Sequence, residues 1–156
     1  MPRNRPAALR DAHRTTPSPR IWKEPPPPRI PGLSHRTSLA IHRAERLSPG
    51  FWFPHGATET ALRRYRAFLH PPGRRPRYPR ESYCASCPGC ALDDVRQARD
   101  ALSDILLLLP PRARAELRRA VTPLDRRYLR LTLPDPLAAR TEPWWRRRLA
   151  KGVEGW

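Results

Sequence analysis

Three cysteines form the one short stretch of this 156-residue chain in which chemistry is encoded locally. Cys84, Cys87 and Cys90 are its only cysteines, and their C-x-x-C-x-x-C spacing holds three sulfur atoms within one loop, residues 83–90, just before a helical pattern. Sulfurs at this spacing are close enough to share one metal ion or to exchange a disulfide. The spacing therefore predicts a metal-binding or redox-active loop.

A structural zinc ion needs four ligands, and the cysteine loop supplies three of them. We predict that His70 is the fourth, because thirteen residues separate it from Cys84, a length similar to the loops between ligand pairs in small zinc modules. His55, Asp93 and Asp94 are the alternative ligands. The sequence thus predicts a Cys3His zinc site that stabilises a small domain.

Three other interpretations of the cysteine loop stay open. The spacing begins the pattern of bacterial ferredoxins, which indicates an iron–sulfur cluster, although the usual fourth cysteine is absent from the sequence. Cys87-Pro-Gly-Cys90 precedes a predicted helix whose positive end would lower a thiol pKa, which favours redox chemistry. The alternating strands and helices of a thioredoxin-like scaffold are missing, however. The last interpretation is three ordinary thiols with no cofactor.

Sequence motifs of hydrolytic enzymes are absent from the chain. No histidine has a glutamate two residues later, as in the H-x-E of the zinc deaminases, and there is no H-E-x-x-H, Walker-type glycine loop or G-x-S-x-G. We therefore expect a binding protein rather than an enzyme.

The charge of the chain predicts a polyanionic partner, with nucleic acid first. Lys and Arg number 31 against 14 Asp and Glu, a net charge of +17. All the basic residues except Lys23 and Lys151 are arginines, and the chain holds 22 prolines, so GC-rich codon usage is an alternative source of this charge. Arginines alternate with an aromatic ring in one predicted loop, whose expected nucleic-acid contacts are Arg74, Arg75, Arg77, Tyr78 and Arg80.

Composition divides the chain into three parts. Residues 1–50 are rich in proline and arginine and lack a sustained hydrophobic period, which predicts a disordered basic arm. Leu39, Ile41 and Leu47 could form one short helix within it. Residues 51–135 are predicted to form a small, mainly α domain of three to four helices, and residues 136–156 a tail with a short Trp/Arg helix.

Helical periodicity is clear in two places of the predicted domain. An apolar face recurs over residues 58–69, and a longer one, with Leu106–108 widening its far end, over residues 92–109. That widening predicts burial on several sides. Two further helices are expected over 112–121 and 124–131, separated by the start signal Thr122-Pro123. Trp144 and Trp145 are expected to fold back onto the helical core.

Cysteine usage and hydropathy indicate a cytoplasmic protein. Three cysteines in one run do not suit a secreted disulfide framework, and no apolar run is long enough to span a bilayer.

Beyond nucleic acid, the excess leucine surface over residues 105–109 favours a protein partner or a second copy of the chain.

Overall fold

Five helices account for most of the folded chain. The computed structural model describes residues 27–48, 54–70, 75–84 and 86–151. Its helices are α1 (His35–Leu47), α2 (Ala57–Leu69), α3 (Pro88–Ala91), α4 (Val95–Leu108) and α5 (Pro111–Leu131). The described residues contain no strand, only an isolated bridge between Pro134 and Arg148. The prediction of a mainly helical fold is confirmed, with one long α5 and the added α1 in place of the expected set of helices.

The core lies between α2, α4 and α5, and α1 packs against α5 and α4. Its largest fully buried side chains are Ile30, Leu33, Ile41, Leu62, Tyr65, Leu69, Leu92, Leu102, Ile105, Leu109, Leu117 and Tyr128. Burial of each such side chain contributes about 1.5–3 kcal/mol before the entropy of ordering is subtracted. Within the described ranges, no helix is both long and apolar enough to cross a membrane.

Helix α1 corrects the prediction of a disordered arm. Ile30, Leu33 and Ile41 are fully buried, so the part of the predicted arm at residues 27–48 is folded onto the core. The predicted short helix is therefore present, although Leu39 and Leu47 are exposed. Its hydrophobic period is weak because polar side chains fill the other buried positions, namely Thr37, Ser38 and Glu45. Residues 1–26 lie outside the described part of the chain.

Helices α2 and α4 follow the predicted amphipathic faces. Helix α2 begins after Gly56, whose positive φ of 79° favours a residue without a β-carbon. Helix α4 begins after Asp94, whose carboxylate accepts a hydrogen bond from the Arg96 backbone N–H at 2.8 Å. The predicted burial at its far end was wrong: Leu107 is 75% and Leu108 45% exposed, because only one side of this last turn meets the core.

Helix α5 is continuous where two helices were predicted. Pro123 lies inside it, and Thr122 donates from Oγ1 to the Arg118 carbonyl at 2.8 Å instead of capping a new helix. Proline removes one backbone hydrogen bond, but Pro123 is exposed, so water can reach the freed carbonyl of Arg119. Burial of Val121 and Tyr128 on either side of the proline keeps the two halves on one core.

The chain after α5 returns along the core without forming the predicted Trp/Arg helix. Residues 141–149 form turns, and the backbone N–H of Leu149 donates to the Leu133 carbonyl at 2.9 Å. Trp144 and Trp145 pack against the core, which confirms that expectation. Trp145 also donates from Nε1 to Asp100 at 2.7 Å. Side-chain contacts of these rings with α4 and α5, rather than helical hydrogen bonds, fix the segment.

Candidate functional site

Ser82 closes the cysteine loop at its base. Its hydroxyl oxygen lies 2.7 Å from the carbonyl oxygen of Cys90 and 3.0 Å from that of Cys84, and it accepts a hydrogen bond from the Cys84 backbone N–H. Cys87 is the residue before α3 and Cys90 lies within that short helix. The first and last cysteines of the loop are thereby held by one side chain.

The three thiols differ in acidity. The backbone N–H of Cys90 lowers the pKa of Cys87, and the Ser86 hydroxyl lowers the pKa of Cys84. The neighbouring Cys87 sulfur raises the pKa of Cys90 to about 11. Cys84 and Cys87 therefore lose their protons more readily than Cys90, and thiolate is the form that binds metals and attacks electrophiles.

The fourth ligand of the predicted zinc site does not form a metal cluster with the cysteines. His70 is exposed at the end of α2, where its backbone N–H bonds the Ala67 carbonyl. In the residues that the structure describes, no group of three or more His, Cys, Asp or Glu side chains is arranged to hold a metal ion. Of the alternative ligands, Asp93 pairs with Arg64 and Asp94 caps α4.

Some residues of the predicted basic loop are exposed, and others contact the helices. Arg75 and Arg80 are exposed, and Tyr78 is 42% exposed. Arg77 is half-buried: its guanidinium donates to the Phe68 carbonyl, and its backbone N–H donates to the last residue of α5. Arg77 therefore docks the loop onto α2 and α5. Arg74 lies outside the described residues.

A row of arginines that the sequence reading missed runs along α5. Seven of the 21 residues of this helix are arginines, and five of them, Arg112, Arg118, Arg119, Arg126 and Arg130, are exposed. At 100° per residue, all of these except Arg118 lie within about 40° of arc, over a length of about 27 Å. We call these four side chains the arginine row.

The two acidic side chains of α5 are bound to the rest of the fold. Glu116 accepts hydrogen bonds from the backbone N–H and hydroxyl of Ser34, at 2.6 and 2.8 Å, and from the Thr37 hydroxyl at 2.6 Å. Asp125 accepts both a bidentate pair from Arg99 and the Tyr65 hydroxyl. Among the described residues neither carboxylate forms an ion pair with the arginine row, although the charge of Arg119 contributes to lowering the pKa of Glu116.

Helix α1 repeats this arrangement beside the arginine row. Its one acid, Glu45, is buried and accepts hydrogen bonds from the backbone N–H groups of Gly56 and Thr58 and from the Thr58 hydroxyl. Arg36 and Arg43, seven residues apart, are exposed on the opposite face. Because α1 packs against α5, we call these two arginines and the arginine row together the basic face of α1 and α5.

The contact between the two helices lies next to the row. Glu116, which binds the start of α1, follows Arg112 by one helical turn and precedes Arg119 by three residues. In the described part of the chain, no ion pair involves any of the six arginines of the basic face. Six unpaired guanidinium groups on two adjoining helices form a surface suited to phosphate groups.

One signal in the sequence points to the row. Arginine recurs at intervals of seven, seven and four residues from Arg112, a helical period, but a helix boundary at Pro123 divides that series into two unrelated pairs. Recognition of the row therefore required a continuous α5.

Comparisons of this chain with protein-family models, with curated protein sequences and with solved structures find no match. The basic face and the cysteine loop are therefore the two surfaces from which a function can be inferred.

Proposed function

We propose that this chain is a small basic binding protein that associates with nucleic acid through the basic face of α1 and α5. The observation that carries the proposal is the arginine row together with the inward attachment of the acids on the same helices. Each guanidinium offers five N–H donors in a planar fork that matches a phosphate group. Neutralised phosphates release counterions, which supplies most of the affinity of non-specific binding.

Three other arginines form ion pairs that stabilise the fold. Arg96 pairs with Asp94, Arg99 with Asp125 and Arg146 with Asp100. These pairs join α4 to its own cap, to α5 and to the C-terminal segment, so they contribute little to the outward field. Exposed arginines also lie elsewhere, among them Arg63, Arg75, Arg80 and Arg140, but the row places four of them on one helix face, which favours a binding surface over a charge spread evenly by codon usage.

Two quadruple variants of equal charge test the proposal. The row variant replaces the four arginines of the row by Gln (Arg112→Gln, Arg119→Gln, Arg126→Gln and Arg130→Gln). The control variant replaces four exposed arginines elsewhere (Arg63→Gln, Arg75→Gln, Arg80→Gln and Arg140→Gln). Fluorescence anisotropy with labelled mixed-sequence DNA measures the affinity of each, and circular dichroism verifies that each is folded.

We expect the row variant to lose at least about 30-fold in affinity, since four contacts at about 0.5 kcal/mol each sum to about 2 kcal/mol. The control variant should stay within about threefold of the wild type. Equal losses in both would show that binding follows net charge alone. A loss confined to the control variant would assign binding to the loop that contains Arg75 and Arg80.

A structural zinc ion at the cysteine loop is the second part of the proposal, and it requires the loop to rearrange, because the described residues hold no ready-made ligand group. Cys84 and Cys87 have lowered pKa values and Cys90 completes three sulfur ligands, with His70 as the predicted fourth ligand. Zinc analysis of protein purified without added metal tests this. About one zinc per chain supports the site, iron with a brown chromophore supports the cluster, and metal-free protein contradicts both.

Exposed leucines favour a protein-interaction adaptor as the alternative function. Leu107 and Leu108 are exposed side by side at the end of α4. If that function is correct, Leu107→Asp would abolish binding of a partner protein in a pull-down and leave DNA affinity unchanged.

A further inference from the structure

We infer that the basic face of α1 and α5 binds double-helical nucleic acid in preference to single strands. This inference rests on the proposed function and specifies the form of nucleic acid that the same surface takes.

Helices α1 and α5, which carry the basic face, contribute no exposed aromatic ring to it in the described part of the chain. Proteins that hold unpaired bases stack them on aromatic rings, at about 1–3 kcal/mol per base. The sequence of α1 contains no Phe, Tyr or Trp, and α5 contains only Tyr128. Tyr128 is 1% exposed, and its ring lies 5.6 Å from that of Tyr65 and 5.8 Å from that of Phe68. The two helices of the face thus offer charge without a stacking ring of their own.

The spacing of the charges suits a rigid target. The four guanidinium groups of the row are fixed to one helix over about 27 Å, which corresponds to roughly eight base pairs at 3.4 Å each. A duplex presents its phosphates at a fixed density of one charge per about 1.7 Å of axis. A flexible single strand must first be ordered along the row, and no base stacking offsets that entropy.

A second basic segment of the chain, unlike α1 and α5, carries exposed aromatic rings. Tyr78 and the fully exposed Tyr83 lie in the described segment 75–84, together with the exposed Arg75 and Arg80. Arginines that alternate with exposed rings are typical of single-strand binding. The form of nucleic acid that binds more tightly therefore identifies the surface in use.

The test compares a mixed-sequence DNA duplex of about 16 base pairs with its labelled single strand, at the same salt concentration. We expect the wild type to bind the duplex at least about tenfold more tightly. The row variant should lose this preference, and the double variant Tyr78→Ala, Tyr83→Ala should keep it.

Equal or tighter binding of the single strand by the wild type would overturn the inference. If that binding also depended on the arginine row, the proposed function would stand without the duplex preference. Absence of salt-sensitive binding to either form would contradict both.

Discussion

Replacement of Asp125 by leucine should destabilise the protein strongly, because it removes one half of a buried ion pair. Asp125 lies on α5 and accepts hydrogen bonds from Nε and Nη2 of Arg99 on α4, at 2.9 and 3.0 Å, and from the Tyr65 hydroxyl on α2 at 2.9 Å. Arg99 is only 8% exposed, and its guanidinium carbon lies 4.4 Å from the centre of the Trp145 ring. One carboxylate thus joins three helices.

The expected cost follows from the charge that is left behind. Removal of one partner of a buried ion pair costs about 3–5 kcal/mol, because the other charge remains buried without compensation. In Asp125→Leu, Arg99 would lose both charge-assisted hydrogen bonds, and its Nη1 atom has no hydrogen-bond partner among the described residues even with Asp125 present. A loss of this size is a large fraction of the 5–15 kcal/mol that stabilises a typical domain.

A double-mutant cycle with urea unfolding, followed by circular dichroism, measures the coupling of the pair. The double variant Arg99→Met, Asp125→Leu should be at least about 2 kcal/mol more stable than Asp125→Leu alone, because no charge is then left buried. A cost below about 1 kcal/mol for Asp125→Leu, or a double variant whose cost equals the sum of the single costs, would refute this reasoning.

Two further predictions concern titratable groups. The hydrogen bonds from Thr37 and Ser34 hold the pKa of Glu116 below its ordinary value of 4.5, so the ionised carboxylate stabilises the fold above that pH and this contribution disappears as the pH falls through the folded pKa. Glu116→Gln should therefore be less stable than the wild type at pH 7 and lose less stability toward pH 3 in urea unfolding; parallel pH profiles would contradict this. In metal-free protein at neutral pH, iodoacetamide should modify Cys87 before Cys90, because Cys87 has the lowered pKa and Cys90 the raised one. Peptide mass spectrometry measures the order, and faster modification of Cys90 would contradict it.

The sequence predicted the helices correctly where buried residues recur with a helical period. Helices α2 and α4 each carry an apolar face with few exceptions, and both were predicted within a few residues of their observed ends. Trp144 and Trp145 were assigned to the core on size and hydrophobicity alone, and they pack there.

Prediction failed where distant partners decide the structure. Glu45 is buried in α1 only because Thr58 and Gly56, more than ten residues away, satisfy its carboxylate. Glu116 is bound by Ser34 and Thr37, about 80 residues earlier in the chain. No local pattern contains such contacts, so the sequence predicted only a short helix within a disordered arm and not its packing on the core.

Pro123 shows a different reason for failure. A proline after threonine is a typical helix start, and the local preference opposes a continuous helix by about 3 kcal/mol. Burial of Leu117, Val121, Leu124 and Tyr128 on the inner face of α5 outweighs this preference. The arginine row exists because packing overrides the proline.

The salt dependence of duplex affinity counts the phosphate groups that the arginine row contacts. On duplex DNA, the slope of log affinity against log salt concentration is about −0.9 for each neutralised phosphate. If the arginine row makes four phosphate contacts, the slope of the row variant should be smaller in magnitude than that of the wild type by about 3.6, and that of the control variant nearly unchanged. Parallel lines for the wild type and the row variant would contradict the account.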